Sequence, residues 1–174
     1  MQYKSSEYNP EIHDRFKALT VKQPYATRLV TAAYRDEKGV LFAEKSIEVR
    51  TKTTNYRGDL LICSAKSPVI PGMESGVTMG FVELYDVKPV AEFTEQDWAD
   101  TCIPVEERGP FKTGYGYLLR NPRRVIEMPC NGQLGIYNFV TPKGDITEYP
   151  TVCRVDEKSW RLIQRRTKDG SKQI

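Results

Sequence analysis

Histidine, paired cysteines and long apolar runs are what this 174-residue chain has least of. Its one histidine, His13, stands far from the four cysteines, and Cys63, Cys102, Cys130 and Cys153 include no C-x-x-C pair. A zinc site is therefore not expected, nor any cofactor, and the cysteines read as small buried thiols kept reduced. No run approaches the roughly 20 apolar residues that span a bilayer, and the opening MQYKSSEYNPEIHDRF lacks a signal peptide's apolar core. No membrane partner and an intracellular, cytoplasmic place are expected. Internal repeats and low-complexity tracts are missing too.

A strong charge of one sign is also lacking. The chain carries 26 Lys and Arg against 23 Asp and Glu, a formal +3. From Arg154 onward there are seven cations against three acids, leaving 19 against 20 in Met1–Cys153. The basic excess belongs to the tail, so the whole-chain charge says nothing about the main body.

With 39% apolar residues there is enough material for a core, and the length suits one domain better than two. A polar arm over 1–15, in which His13 is expected to be exposed, precedes a body over 16–141 and an extension with a basic tail over 142–174. Ala18 to Lys22 has a strand's β-branched content. Pro24 then stands where a helix begins, with Tyr25, Leu29 and Ala32 or Ala33 at helical spacing, so a helix to about Tyr34 is expected. Ser46 to Arg50 alternates, placing Ile47 and Val49 on a buried face and Glu48 and Arg50 on an exposed one. Leu60 to Ala65 is continuous enough for a strand covered on both sides. Val77 to Val87 carries Gly80, which in a strand often marks a bulge or a barrel bend. Thr94 and Asp97 form a capping box for a short helix. Tyr115–Leu119, Val125–Met128 and Leu134–Val140 read as strands, separated by Asn121-Pro122 and Asn131-Gly132 turns. The sum is an α+β, mainly β fold: a small barrel or rolled sheet of about six strands with two or more flanking helices.

Five stretches in order resemble one family. Leu19-Thr20-Val21-Lys22-Gln23-Pro24-Tyr25-Ala26, Lys45-Ser46-Ile47-Glu48-Val49-Arg50 and Tyr56-Arg57-Gly58-Asp59-Leu60-Leu61-Ile62 with Ala65-Lys66 come first. Gly80-Phe81-Val82-Glu83-Leu84 follows, then Tyr117 to Arg124 with Gly132-Gln133-Leu134-Gly135-Ile136-Tyr137. Together they are similar to the ASCH (activating signal cointegrator homology) domain, over about Ala18 to Val140. The resemblance implies a PUA-like β-barrel and an association with nucleic acid, RNA above all. The K-x-x-E-x-R pattern at Lys45, Glu48 and Arg50 looks like the cointegrator-type branch. A second branch has threonine in the glutamate's place and includes small hydrolases that deacylate N4-acetylcytidine with a lysine, that threonine and a further glutamate. Here Glu48 occupies the threonine's position, so the expected hydroxyl is missing. Other relatives are ribonucleases, which need an acid and a base that His13, outside the matched stretches, does not supply.

The residues themselves offer a local charge surplus. Lys45, Arg50, Lys52, Arg57 and Lys66 face only Glu48 and Asp59 as acids within the same 22 positions. Clustered cations neutralise phosphates. Gln23 and Tyr25 stand at a helix entrance, suited to reading and stacking on an unpaired base. The expected nucleic-acid-binding set is Lys22, Gln23, Tyr25, Lys45, Glu48, Arg50, Arg57 and Lys66, in a cleft between the first helix and the strand of Glu48. The bland alternative is a solvated face with ordinary ion pairs and Lys22 covering apolar surface. Tyr115 and Tyr117 flank glycines, Gly114 and Gly116, that admit a ligand or backbone. Arg120, Arg123 and Arg124 surround a turn and either extend a phosphate track or are plain loop residues. Trp98 and Trp160 read as packing anchors.

The expected function is an RNA- or nucleotide-binding module. Two alternatives stand beside it. One is a hydrolase acting on an N4-acylcytidine-like nucleoside or an RNA phosphodiester, in which Lys45 and Glu48 act as acid and base and Lys66 stabilises charge. The other is a protein-interaction adaptor.

Overall fold

The structure is a computed structural model that describes residues 1–150. Expectations at Cys153, Trp160 and the basic tail lie outside the described residues. The order of elements is β1 (His13–Val21), α1 (Tyr25–Val30), β2 (Ala32–Arg35), β3 (Leu41–Ala43), β4 (Ile47–Arg50), β5 (Gly58–Ser64), β6 (Thr78–Pro89), α2 (Glu95–Thr101), β7 (Tyr115–Arg124) and β8 (Ile136–Pro142), with short 3-10 turns between. The fold is mainly β with two α-helices among the described residues.

Six strands hydrogen-bond in the order β4-β7-β6-β5-β1-β8, and β2 pairs with β3 separately. Among the described residues no ladder joins β4 to β8, so the sheet is open where a closed barrel was expected. Each edge is managed by other means. Tyr3 bridges to Val140 on β8, with its N–H 2.8 Å from the Val140 carbonyl. Beside β4, the Ser46 N–H donates to the Asp100 carbonyl of α2 at 2.9 Å.

The described residues divide into two compact units. The first gathers Met1–Thr31, Asp59–Val82 and 122–150; the second gathers Ala32–Gly58 and Glu83–Asn121.

In the first unit β1 runs parallel to β5 and antiparallel to β8. Leu60 to Ser64 is buried without interruption, as a strand covered on both faces should be. Ala18, Leu61, Cys63, Phe81, Val125, Cys130, Tyr137 and Phe139 form its core. His13 corrects the expectation of an exposed arm. It is buried at the start of β1, its ring tilted against Tyr3 with centroids 4.4 Å apart, and its Nδ1 accepts from the Asn9 N–H. Gly80 allows close packing: a Cβ there would collide with the Arg123 carbonyl oxygen and with Val30 of α1. Val125–Met128 forms no strand; Val125 makes an isolated bridge to Glu148, and its N–H donates to the Met79 carbonyl at 3.2 Å.

In the second unit α1's expected continuation is replaced by a hairpin. The helix stops at Val30, Thr31 is extended, and Ala32–Arg35 pairs with Leu41–Ala43. Asp36 makes the turn by accepting from the Lys38 and Val40 N–H groups, with Gly39 at φ +81°. Tyr34 stacks on Phe42 at 5.5 Å. Helix periodicity through Tyr34 lost to this cross-strand pairing. α2 starts with the expected box, Thr94 accepting from the Asp97 N–H and Asp97 from the Thr94 N–H. Val49, Val90 and Ile103 form a small core with Phe93, Trp98 and Phe111 packed against it.

Candidate functional site

The strand β4 pairs antiparallel with β7, setting Glu48 opposite Tyr117 and Arg50 opposite Tyr115. The alternation put Glu48 and Arg50 on an exposed face; the structure buries Glu48 and leaves Arg50 half-buried. The reason is Lys45, one residue before Ser46. Its side chain is 1% exposed, and its ammonium donates to the carbonyls of Ile47 at 2.9 Å and Thr101 at 2.6 Å. Glu48 Oε1 stands 3.5 Å from the same nitrogen, and Glu48 Oε2 accepts from Arg50 Nη2 at 3.0 Å. A buried ammonium needs both charge and hydrogen-bond compensation, and Glu48 is drawn inward to supply it.

Thr101 is the last residue of α2, whose final turn carries no basic residue. Helix ends leave carbonyls without intrahelical donors, and cations are favoured there. Lys45 supplies that donor from outside the helix. A short helix with no basic residue in its last turn was the one sequence signal for this contact.

Burial pushes the Lys45 amine below its ordinary value, with Glu48 pulling it back up. Burial likewise raises the Tyr117 phenol, while Arg50 draws it down. Tyr117 is buried and donates to the Lys52 carbonyl at 2.8 Å. The glycines beside the tyrosines admit the protein's own groups. A Cβ on Gly116 would collide with the Phe93 ring, and one on Gly114 would stand 2.6 Å from the Arg50 carbonyl oxygen.

Lys45, Glu48 and Arg50 are thus in direct contact. Arg57, in the same unit, donates to the Thr54 and Tyr56 carbonyls and lies 3.7 Å from Asp86. Arg120 sits on β7 with two contacts to Glu83, at 2.8 and 3.1 Å, and lies over the Tyr85 ring. No turn ends the strand at Asn121-Pro122: β7 continues to Arg124, with Asn121 at a left-handed φ of 54° within it. Trp98 packs edge-on to Phe93 and carries Arg108 over its ring, an anchor as expected.

The other expected residues lie in the first unit. Gln23 is buried and committed to structure: its Nε2 donates to the Glu74 carbonyl, and its Oε1 accepts from the Thr27 N–H and hydroxyl. Tyr25 opens α1 half-buried, and Lys22 is exposed. Lys66 is exposed and donates to Asn131 Oδ1 at 2.8 Å. Arg123 pairs with Asp59 at 2.6 Å and Glu148 at 3.1 Å, and Arg124 with Glu127 at 3.3 Å. The phosphate track imagined for these two is occupied by carboxylates. Among the described residues no three His, Cys, Asp or Glu side chains gather as a metal site requires, and no helix is long and apolar enough to cross a membrane.

This sheet, with a glutamate and an arginine on its edge strand and a lysine just before it, defines a domain of the kind the five sequence stretches resemble. The chain belongs to the ASCH domain family, whose model matches residues 19–127. Among solved structures it is similar to the ASCH protein of Zymomonas mobilis, at 12% identity and a TM-score of 0.48, covering 86% of this chain and 93% of that one. A tyrosine-to-phenylalanine variant of that protein matches at 12% identity and a TM-score of 0.49, over 86% and 96% of the two chains. No curated protein sequence matches this chain.

Proposed function

We propose that this chain is an RNA-binding module that takes a nucleotide against the edge strand β4 of the second unit, at Arg50, with Lys52 and Arg57 as phosphate contacts. ASCH domains are generally proposed to bind RNA, and Glu48 in place of the hydrolase branch's threonine favours the cointegrator-type K-x-x-E-x-R branch. The observation that carries the proposal is the chain of contacts from Lys45 through Glu48 to Arg50. Lys45 fixes Glu48, and Glu48 fixes a guanidinium that is still 28% open to solvent. A cation held in place before binding loses less side-chain freedom when a phosphate or base edge arrives. Tyr115, opposite Arg50 on β7 and half-buried, offers a ring on which an unpaired base stacks. Gln23 already spends its amide on Glu74 and Thr27, so the reading is built on residues of the second unit.

The test is fluorescence anisotropy with labelled single-stranded and hairpin RNAs at low salt. Arg50→Ala is expected to weaken binding about tenfold, roughly 1.4 kcal/mol. Lys52→Ala is expected to flatten the plot of log affinity against log salt by about 0.7. Absence of affinity for every RNA, or parental affinity and slope in both variants, sinks the proposal.

One observation favours a hydrolase instead: the Lys45 amine, held below its ordinary value beside Glu48, is the kind of group that accepts protons. Incubation with N4-acetylcytidine and with RNA, followed by mass analysis, separates the two. Released acetate or cleaved RNA that disappears with Lys45→Met decides for the enzyme; intact substrates decide for the binding module.

A further inference from the structure

The hydrogen-bonding groups around Arg50 decide which base the edge strand β4 takes, a question that rests on the RNA-binding function proposed above. Between Lys45 and Gly58 the chain has one acid, Glu48. Both its oxygens are engaged inside the protein: Oε1 faces the Lys45 ammonium at 3.5 Å, and Oε2 accepts from Arg50 Nη2 at 3.0 Å. The backbone acceptors of the loop after β4 are engaged as well. The Lys52 carbonyl accepts the Tyr117 hydroxyl at 2.8 Å, and the Thr54 and Tyr56 carbonyls accept from Arg57 at 3.0 and 2.9 Å. Just before Tyr115, the Gly114 carbonyl accepts from the Val90 N–H at 3.0 Å.

Donors are placed differently. A guanidinium carries five N–H donors in a planar fork, and the Arg50 side chain is 28% open to solvent while Glu48 holds it. Lys52 is exposed and adds an ammonium. The hydroxyls of Tyr115 and Thr51 donate or accept equally well and set no preference. The site therefore offers donors to a ligand and keeps its acceptors for itself.

Bases differ in what they return to such a site. Guanine presents two adjacent acceptors, O6 and N7, which match the fork of an arginine, whereas the pyrimidine keto base has O4 alone. Adenine sets an N6 amino donor beside its N7, and cytosine shows an N4 amino donor. Against Arg50 those amino groups place donor against donor, and both lose water without gaining a partner. In duplex RNA the edge with O6 and N7 lies in a deep, narrow groove that side chains cannot read. We propose that the β4 site selects an unpaired guanine in single-stranded RNA. Arg50 spans O6 and N7, the half-buried Tyr115 ring opposite it stacks on the base, and Lys52 takes a neighbouring phosphate.

The experiment uses the full chain and fluorescence anisotropy at low salt, with short labelled oligouridines that carry one central guanine, adenine, cytosine, inosine or 7-deazaguanine. Guanine is expected to bind about tenfold tighter than adenine or cytosine, the lower end of what a bidentate contact discriminates. Inosine, which keeps O6 and N7, is expected to match guanine. 7-Deazaguanine, with C–H in place of N7, is expected to fall to the level of the all-uridine strand, and pairing the guanine with a complementary strand to remove the advantage. Arg50→Lys keeps the charge and loses the fork, so it levels guanine with uracil and leaves the salt slope unchanged. Equal affinity for every base, 7-deazaguanine binding as well as guanine, or a guanine preference that survives Arg50→Lys overturns the inference and leaves RNA binding standing. Absence of affinity for every strand overturns both.

Discussion

Replacing Lys45 by methionine is the sharpest probe of the second unit. Methionine keeps most of the stem's volume, so little cavity forms, and the change isolates the ammonium. Two buried carbonyls, Ile47 and Thr101, lose their donor, at a cost of about 1–3 kcal/mol for each group left unsatisfied. Glu48, with a side chain only 11% exposed, keeps Arg50 but loses its inner cation. Removing one member of a buried pair costs about 3–5 kcal/mol, and the carbonyl losses give the same scale. That is a large share of the roughly 5–15 kcal/mol that holds a domain folded. Glu48→Gln alone strands the Lys45 charge. In the double variant Lys45→Met with Glu48→Gln no fully buried ion is stranded, Arg50 being partly open to solvent, so it is expected to cost less than the two singles added, by about 1–3 kcal/mol. Urea titrations followed by circular dichroism give the midpoints and slopes. A loss below about 1 kcal/mol in Lys45→Met, or strict additivity in the double variant, refutes the claim that Lys45 is an internal anchor.

The cap of α2 gives a second test. Thr94→Ala is expected to cost about 1 kcal/mol, and Asp97→Ala about 2 kcal/mol, because Asp97 also holds Lys88 at 2.6 Å; equal losses in the two variants count against the Lys88 contact. A third concerns alkaline pH: burial pushes the Tyr137 phenol above its ordinary 10.0, so the folded chain keeps a proton that the unfolded chain releases. Stability therefore falls as pH rises past about 10, by about 1.4 kcal/mol per pH unit for this one group, and urea midpoints of Tyr137→Phe measured from neutral to alkaline pH should lack that component.

Period two located β4 within a residue, and continuous apolar character marked β5 as covered on both faces, because those patterns depend on the pleat alone. The side of β4 that meets water depended on something else. Lys45 and Thr101 are 56 positions apart, and nothing local shows that a lysine beside a strand will cap a distant helix end and draw Glu48 inward. His13 fails for the same kind of reason: a polar opening segment looks loose until Tyr3 is known to pair with Val140. The hairpin at Ala32–Ala43 was hidden because Ala32 and Ala33 favour a helix by propensity. Pairing with Leu41–Ala43, closed by the Asp36 turn, overrode that preference. The candidate site was legible as a group of three residues, Lys45, Glu48 and Arg50, and illegible in the division of labour among them.

That division changes what a charge cluster means. A window from Lys45 to Lys66 with five cations and two acids suggests a field that draws phosphates from a distance. The structure gives most of those cations other work. Lys45 is neutralised inside by Glu48, Arg57 lies beside Asp86 and holds backbone carbonyls, and Lys66 holds Asn131. What remains toward solvent on β4 and the loop after it is part of Arg50 and the exposed side chain of Lys52. Binding through these and Arg57 then releases few counterions, giving a slope of about −2 at most for a single strand. A measured slope of about −4 or steeper would require more phosphate contacts than this face supplies. The RNA would then be held by cations elsewhere in the chain, and the site on β4 would be reduced to reading a base.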